Sequence, residues 1–329
     1  MADYYHYRKY FQPEYGEAAP DAVIDPGQDF DLEHPTEWRI RQNFETIAGL
    51  TLYWQHTYCF PQIMQVKTVN TEIDCGNHRV PVRIYRPEGE GPFPVMVFYH
   101  GGGWAMNSLD VYDYVPRYFA RYGKVLVITP EYRLAPEHRF PKGVEDAYAT
   151  LEWATQHAAE YGGSASSISL CGDSAGGNLT AAVCLMARDR KGPAVHKQFL
   201  IFPATAFGFP YRTDSEKRYG NGEYFLRINS EAEAMCSYYF DDPADAASPY
   251  ASPLLAEDLS SLPPACFISA ECDPLLDQAL MYAARLEDAG VPVEYNLYKG
   301  MVHAFINRPQ QKTFEAFDAI IRAIPPVRP

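Results

Sequence analysis

The segment Gly172-Asp-Ser-Ala-Gly176 sets one serine between glycines, after a short apolar run and before a helical pattern. A serine hydroxyl is a poor nucleophile near neutral pH. It needs a base to take its proton, and the base needs a group that fixes its tautomer and stabilises its cation. On a tight strand-to-helix turn, Gly-x-Ser-x-Gly lifts the hydroxyl above the end of a sheet. The helix that follows points its positive end at the place where an oxyanion would form. Five residues alone do not separate a nucleophile from an incidental glycine-rich turn. The flanks do: Ser166–Cys171 reads as a buried strand, and Leu179–Arg190 continues as an apolar helix ending at Gly192-Pro193.

In this setting the chain order is serine, then acid, then histidine. Two histidines follow Ser174, namely His196 and His303. His196 precedes a strand pattern, at the wrong end of a sheet. His303 follows the strand pattern Val293–Tyr298, at the right end. Three acids follow the strand pattern Pro264–Ala270: Glu271, Asp273 and Asp277. Asp273 stands directly before Pro274, where an aspartate also serves as a helix cap. Asp277 would lie in a first helical turn, where the dipole alone favours an acid. Asp273 is the first choice and Glu271 the second.

His100-Gly-Gly-Gly-Trp104 follows another continuous apolar run, Phe93–Tyr99. Consecutive glycines let a loop present backbone N–H groups without side chains in the way. Acyl transfer needs such donors at the carbonyl oxygen. Gly102 and Gly103, with the N–H of Ala175, form the candidate oxyanion hole. Trp104 and Asp173 are candidate pocket residues.

These pieces need a frame. Strand patterns occur at Val66–Asp74 and Arg79–Tyr85, flanking a hairpin turn, then at Phe93–Tyr99, Lys124–Thr129, Ser166–Cys171, Lys197–Phe202, Pro264–Ala270 and Val293–Tyr298. Helical patterns alternate with them at Val111–Tyr122, Lys142–Ala159, Leu179–Arg190, Leu275–Ala289 and Lys312–Ala323. That alternation predicts an α/β chain with a mostly parallel sheet and helices on both faces. An amphipathic helix from Pro35 to about His56 is expected to break or kink near Gly49. Ser230-x-x-Glu233 reads as a capping box within the irregular stretch 204–252. No repeat or linker divides the 329 residues, so one domain is expected. Its helical cap would be built from about 1–60 and 204–252.

The formal net charge of −14 argues against a nucleic-acid or anionic-membrane partner. There is no basic tract, long apolar run or signal pattern, which gives a cytoplasmic expectation. Seven scattered cysteines without Cys-x-x-Cys fit a reducing compartment and neither a disulfide framework nor a metal site.

His100-Gly-Gly-Gly-Trp104, Tyr132-Arg-Leu-Ala-Pro-Glu137, Gly172-Asp-Ser-Ala-Gly-Gly177 and Asp273-Pro-Leu-Leu-Asp277 with His303 together resemble the hormone-sensitive-lipase-like branch of the α/β-hydrolases. The resemblance runs from about residue 36 to the C-terminus, and the bacterial acetyl esterases are the most similar members. It implies an α/β-hydrolase fold with an eight-stranded sheet and a cap. It implies Ser174, Asp273 and His303 as the triad, Gly102, Gly103 and Ala175 as oxyanion donors, and a small ester as substrate, with no cofactor. It also implies cis peptides at Ala135-Pro136 and Phe140-Pro141. Trp104 stands where phenylalanine is more usual, which would narrow the acyl side. A homodimer is left open. Two other readings share the fold: a ligand receptor that has lost catalysis, against which His303 speaks, and an amidase or lactonase.

Overall fold

The apolar runs become the interior of one sheet. The computed structural model describes residues 8–9, 15–17, 31, 33–207, 212–228 and 237–328. Its strands are β1 (Lys67–Asp74), β2 (Arg79–Arg86), β3 (Phe93–Tyr99), β4 (Leu126–Pro130), β5 (Gly163–Asp173), β6 (Lys197–Ile201), β7 (Ala265–Cys272) and β8 (Val293–Val302). The eight lie in the order β1-β2-β4-β3-β5-β6-β7-β8. β2 pairs antiparallel with β1 and β4, and the remaining pairings are parallel. The expected mostly parallel sheet is therefore present.

Its helices are α1 (Pro35–Trp54), α2 (Phe60–Ile63), α3 (Tyr114–Gly123), α4 (Lys142–His157), α5 (Ala175–Asp189), α6 (Asp214–Tyr219), α7 (Leu276–Asp288) and α8 (Gln311–Ala323). Strand alternation sorts side chains between two core layers. Val95, Val97 and Tyr99 of β3 join Leu151 of α4, Leu179 of α5 and Leu280 of α7. Met96 and Phe98 join Phe119 of α3, Phe317 of α8 and Trp54 of α1 on the other face. A central strand covered on both faces has no polar side to show, which is why β3 reads as a continuous apolar run.

Several expectations change in detail. α1 runs without a break through Gly49. Its packing outweighs the roughly 1 kcal/mol that one glycine costs a helix. Arg39 of α1 donates to the carbonyls of Ala105 (2.6 Å) and Ala135 (2.9 Å) and pairs with Glu137. The N-terminal helix is thereby tied to the loops after β3 and β4. Ala135-Pro136 and Phe140-Pro141 are cis, as the resemblance implied, and so is Gly91-Pro92. Ser230, Glu233 and Cys236 lie outside the described residues. Among the described residues a separate capping box, made by Thr213 and Glu216, opens α6. The described cysteines are free thiols, most of them buried. Among the described residues, no helix is long and apolar enough to cross a membrane.

Candidate active site

β3 and β5 are neighbours in register, with Tyr99 opposite Gly172. The glycine loop that leaves β3 and the serine turn that leaves β5 therefore start side by side. The chain reverses its order across the sheet here, with β4 on one side of β3 and β5 on the other. Open α/β sheets bind ligands at such a switch point.

The serine turn is as tight as the motif demands. Ser174 sits at φ 55°, ψ −117°, a region that a non-glycine residue enters only when its surroundings force it. A Cβ on Gly172 would collide with the carbonyl of Gly176, and one on Gly176 with the carbonyl of Tyr99. α5 begins at Ala175, directly after the serine, rather than at Leu179. Its N-terminal N–H groups thus start beside the Ser174 hydroxyl, which is only partly buried.

The acid and the histidine meet by the same logic. Cys272 at the end of β7 pairs with Val302 at the end of β8. The next residue on each strand is Asp273 and His303. His303 Nδ1 lies 2.7 Å from Asp273 Oδ2, and His303 Nε2 lies 2.9 Å from Ser174 Oγ. Asp273 is 1% exposed and His303 2%. A carboxylate only accepts, so Nδ1 carries the proton and Nε2 is left to accept from the serine hydroxyl. The other Asp273 oxygen accepts the N–H of Leu275 at 2.8 Å. Asp273 therefore engages both oxygens, one on His303 and one on the turn before α7, although the N-cap of that helix is Leu275 rather than Asp273.

The competing acids are engaged elsewhere. Glu271 accepts the Gly300 N–H at 2.7 Å. Asp277 accepts from the Tyr15 hydroxyl at 2.8 Å and from the Ser215 N–H at 3.0 Å. His196 stands at the start of β6, with Nδ1 against the Ile168 backbone.

The glycine loop is held from below. Gly102 and Gly103 have φ of 127° and 57°. The Gly102 carbonyl accepts the Met106 N–H at 2.9 Å. Neither glycine donates its own N–H to an acceptor among the described residues. Asp173 is buried behind the turn. Its oxygens accept the Gly101 N–H at 2.9 Å and the Tyr112 hydroxyl at 2.7 Å. Burial pushes the Asp173 carboxyl up to about 6, against the pull of those two donors. His100, also buried, is pushed down to about 4 and keeps Nδ1 on the Gly101 carbonyl at 2.8 Å. The Tyr132 hydroxyl donates to the His100 carbonyl at 2.8 Å. Asp173 thus joins the end of β5 to the glycine loop.

Trp104 is 3% exposed and stacks on Tyr239 at 4.8 Å, with Phe207 at the same distance. Its ring belongs to an aromatic cluster shared with the 204–252 stretch. Two further rings contact His303: Phe202 at 4.7 Å and Phe225 at 6.1 Å. Tyr112 and Phe225 were not among the residues the motifs pick out. Phe225 comes from an irregular segment, where no period marks a side chain, and Tyr112, expected at the start of the helical pattern Val111–Tyr122, lies in the turn before α3.

Against known proteins, the alpha/beta hydrolase fold family matches residues 96–307, which hold the glycine loop, the serine turn, the acid and the histidine. The chain belongs to the α/β-hydrolase fold family. Within that family it is a member of the hormone-sensitive-lipase-like branch. This α/β-hydrolase is 42% identical over 253 residues to the carboxylic ester hydrolase LipN of Mycobacterium tuberculosis, covering 75% of this chain and 66% of that protein. It is 38% identical over 245 residues to an arylesterase of Saccharolobus solfataricus, covering 74% of this chain and 78% of that one. Among solved structures, an esterase of Pyrobaculum calidifontis superposes with a TM-score of 0.81 at 34% identity. That match covers 93% of this α/β-hydrolase and 98% of the esterase.

Proposed function

We propose that the protein is a serine carboxylic ester hydrolase acting on short-chain acyl esters. The observation that carries this reading is the unbroken line Asp273–His303–Ser174, with contacts of 2.7 and 2.9 Å. Ser174 Oγ attacks the ester carbonyl while His303 Nε2 takes its proton. Negative charge gathers on the carbonyl oxygen, where the N–H groups of Gly102, Gly103 and Ala175 receive it. Asp273 holds the imidazole and steadies its cation. His303 returns the proton to the departing alkoxide, which leaves as the alcohol. Water then attacks the acyl-enzyme, again giving its proton to His303, and the acid departs as Ser174 recovers its proton. These steps use only protein groups and water.

Two parts of the frame serve this reading. Segments within about 1–60 and 204–252 are taken as a cap over the strand ends. In support, the Gly16 carbonyl accepts the Tyr219 hydroxyl at 2.9 Å, and Glu17 pairs with Arg218 at 2.9 Å. Asp173 is taken as the residue that positions the oxyanion loop.

Gly102 offers a direct check on that loop. A Cβ there would meet the carbonyl of Met106, and a φ of 127° strains any L side chain. Alanine keeps the N–H but must shift the loop, so Gly102→Ala is expected to lower kcat by about 10²–10³ with KM little changed, as a displaced oxyanion donor would. Steady-state kinetics on p-nitrophenyl acetate reads this. A kcat within about threefold of wild type would remove the loop from the mechanism.

The short-acyl preference rests on the acetyl-esterase resemblance and on the aromatic wall around Trp104. Hydrolysis of p-nitrophenyl esters is expected to peak between roughly two and four acyl carbons, a difference of a few methylenes being what an apolar pocket can separate. A kcat/KM that rises steadily to the octanoate would discard the preference and keep the mechanism.

A further inference from the structure

The stretch after α6 closes on itself. The Gly222 N–H donates to the Leu226 carbonyl and the Ile228 N–H to the Gly220 carbonyl, each at 3.1 Å. The Asn221 side-chain oxygen accepts the Glu223 N–H at 3.0 Å. The Tyr224 hydroxyl donates to Glu17 at 3.0 Å, and its ring packs edge-on against Tyr219 at 4.9 Å. A loop pinned this firmly holds its next residue in place.

That residue is Phe225, and it sits at φ 85°. Bulky L-residues rarely enter this region, and they stay there only where the surroundings over-determine them. The outcome is an aromatic ring delivered beside His303, 6.1 Å between centroids and inclined by 23°. Phe202 also contacts His303, but it is 1% exposed and belongs to the core. Phe225 is only partly buried and comes from the surface loop.

The proton path fixes which half of an ester meets this ring. The oxyanion points to the N–H groups of Gly102, Gly103 and Ala175. The leaving oxygen must lie against His303 Nε2, because that nitrogen returns the proton. Groups packed around the imidazole therefore face the alcohol half and not the acyl half. We propose that Phe225 is a specificity-determining residue that limits the size of the alcohol. This rests on the serine-esterase reading above.

The test uses two ester series on wild type, Phe225→Gly and Phe225→Trp. One series is acetates whose alcohol grows from ethanol to benzyl alcohol. The other is p-nitrophenyl esters whose acyl chain grows. Glycine adopts the left-handed backbone without strain, so the first variant removes the ring and spares the loop. It is expected to raise kcat/KM for benzyl acetate relative to ethyl acetate by about tenfold, the scale on which a pocket separates substrates by size. Phe225→Trp should shift the same ratio the other way, and the acyl profile should keep its shape in both. A shift along the acyl series instead would overturn the proposal. So would an equal change on every ester, which would mean that the ring only steadies His303. Wild type inactive on both series would overturn the serine-esterase reading along with it, whereas the shape of the alcohol profile can fail alone.

Discussion

Ser174→Ala is expected to lower kcat by about 10⁴–10⁶ and to leave the fold intact. The turn does not depend on the hydroxyl. It is held by the backbone: the Ser174 N–H donates to the Ile201 carbonyl at 2.9 Å, and the Ser174 carbonyl accepts from Asn178 at 3.0 Å and Ala204 at 3.2 Å. The side chain makes one polar contact that matters, to His303. Alanine removes that contact and the oxygen proposed to attack. What survives is the stabilisation that the glycine loop and binding give to water attack, which elsewhere leaves a residual of about 10³–10⁴ over the uncatalysed rate. Hydrolysis rates and a melting curve on the same preparation read both halves of the prediction. Activity within about tenfold of wild type would remove Ser174 as nucleophile. A collapsed melting temperature would make the residue structural.

Asp273→Asn is the second large effect, with kcat expected to fall about 10⁴-fold. An amide in place of the carboxylate can offer its N–H₂ to Nδ1, which draws the imidazole proton to Nε2 and blocks acceptance from Ser174. It also leaves the imidazolium without its counter-charge in a site where both partners are almost wholly buried. The Leu275 N–H still finds an oxygen, so the turn into α7 survives. Glu271→Gln is the matched control. Glu271 serves the Gly300 N–H, and glutamine retains an oxygen for it, so kcat should stay within about threefold of wild type, as for changes away from the reacting atoms. Steady-state kinetics on the pair decides between the acids. Equal losses in the two variants would reopen the choice that the sequence left between them.

The residues proposed to react were legible because their signals are local. Ser174 carries its own turn glycines. His303 is the histidine that follows a strand at the right end of the sheet, and a single pairing, Cys272 with Val302, brings it level with Asp273. The extent of the elements was harder to read. Gly176 and Gly177 look like breakers in front of a helix, yet α5 already includes both. Gly176 is there because the helix start passes too close to the Tyr99 carbonyl for a side chain. β8 likewise runs on through Gly300 to Val302. The partners of long-range polar side chains left no trace in sequence. Nothing in Asp173 announces Tyr112, 61 residues away. Asp277 read as an acid at a helix start, and it also receives Tyr15 from the N-terminal segment. Phe225 is invisible for the same reason, since its backbone angle and its nearness to His303, which follows β8, leave no mark in the sequence.

The most direct measurement is titration with diethyl p-nitrophenyl phosphate, followed by peptide mass mapping. It transfers its phosphoryl group to an activated serine and releases p-nitrophenol, and it does not turn over quickly. A serine nucleophile primed by His303 predicts one p-nitrophenol released per chain, loss of ester hydrolysis in step with that release, and a diethylphosphoryl group on Ser174. A label on another residue, or hydrolysis that persists once Ser174 is fully modified, would contradict the account.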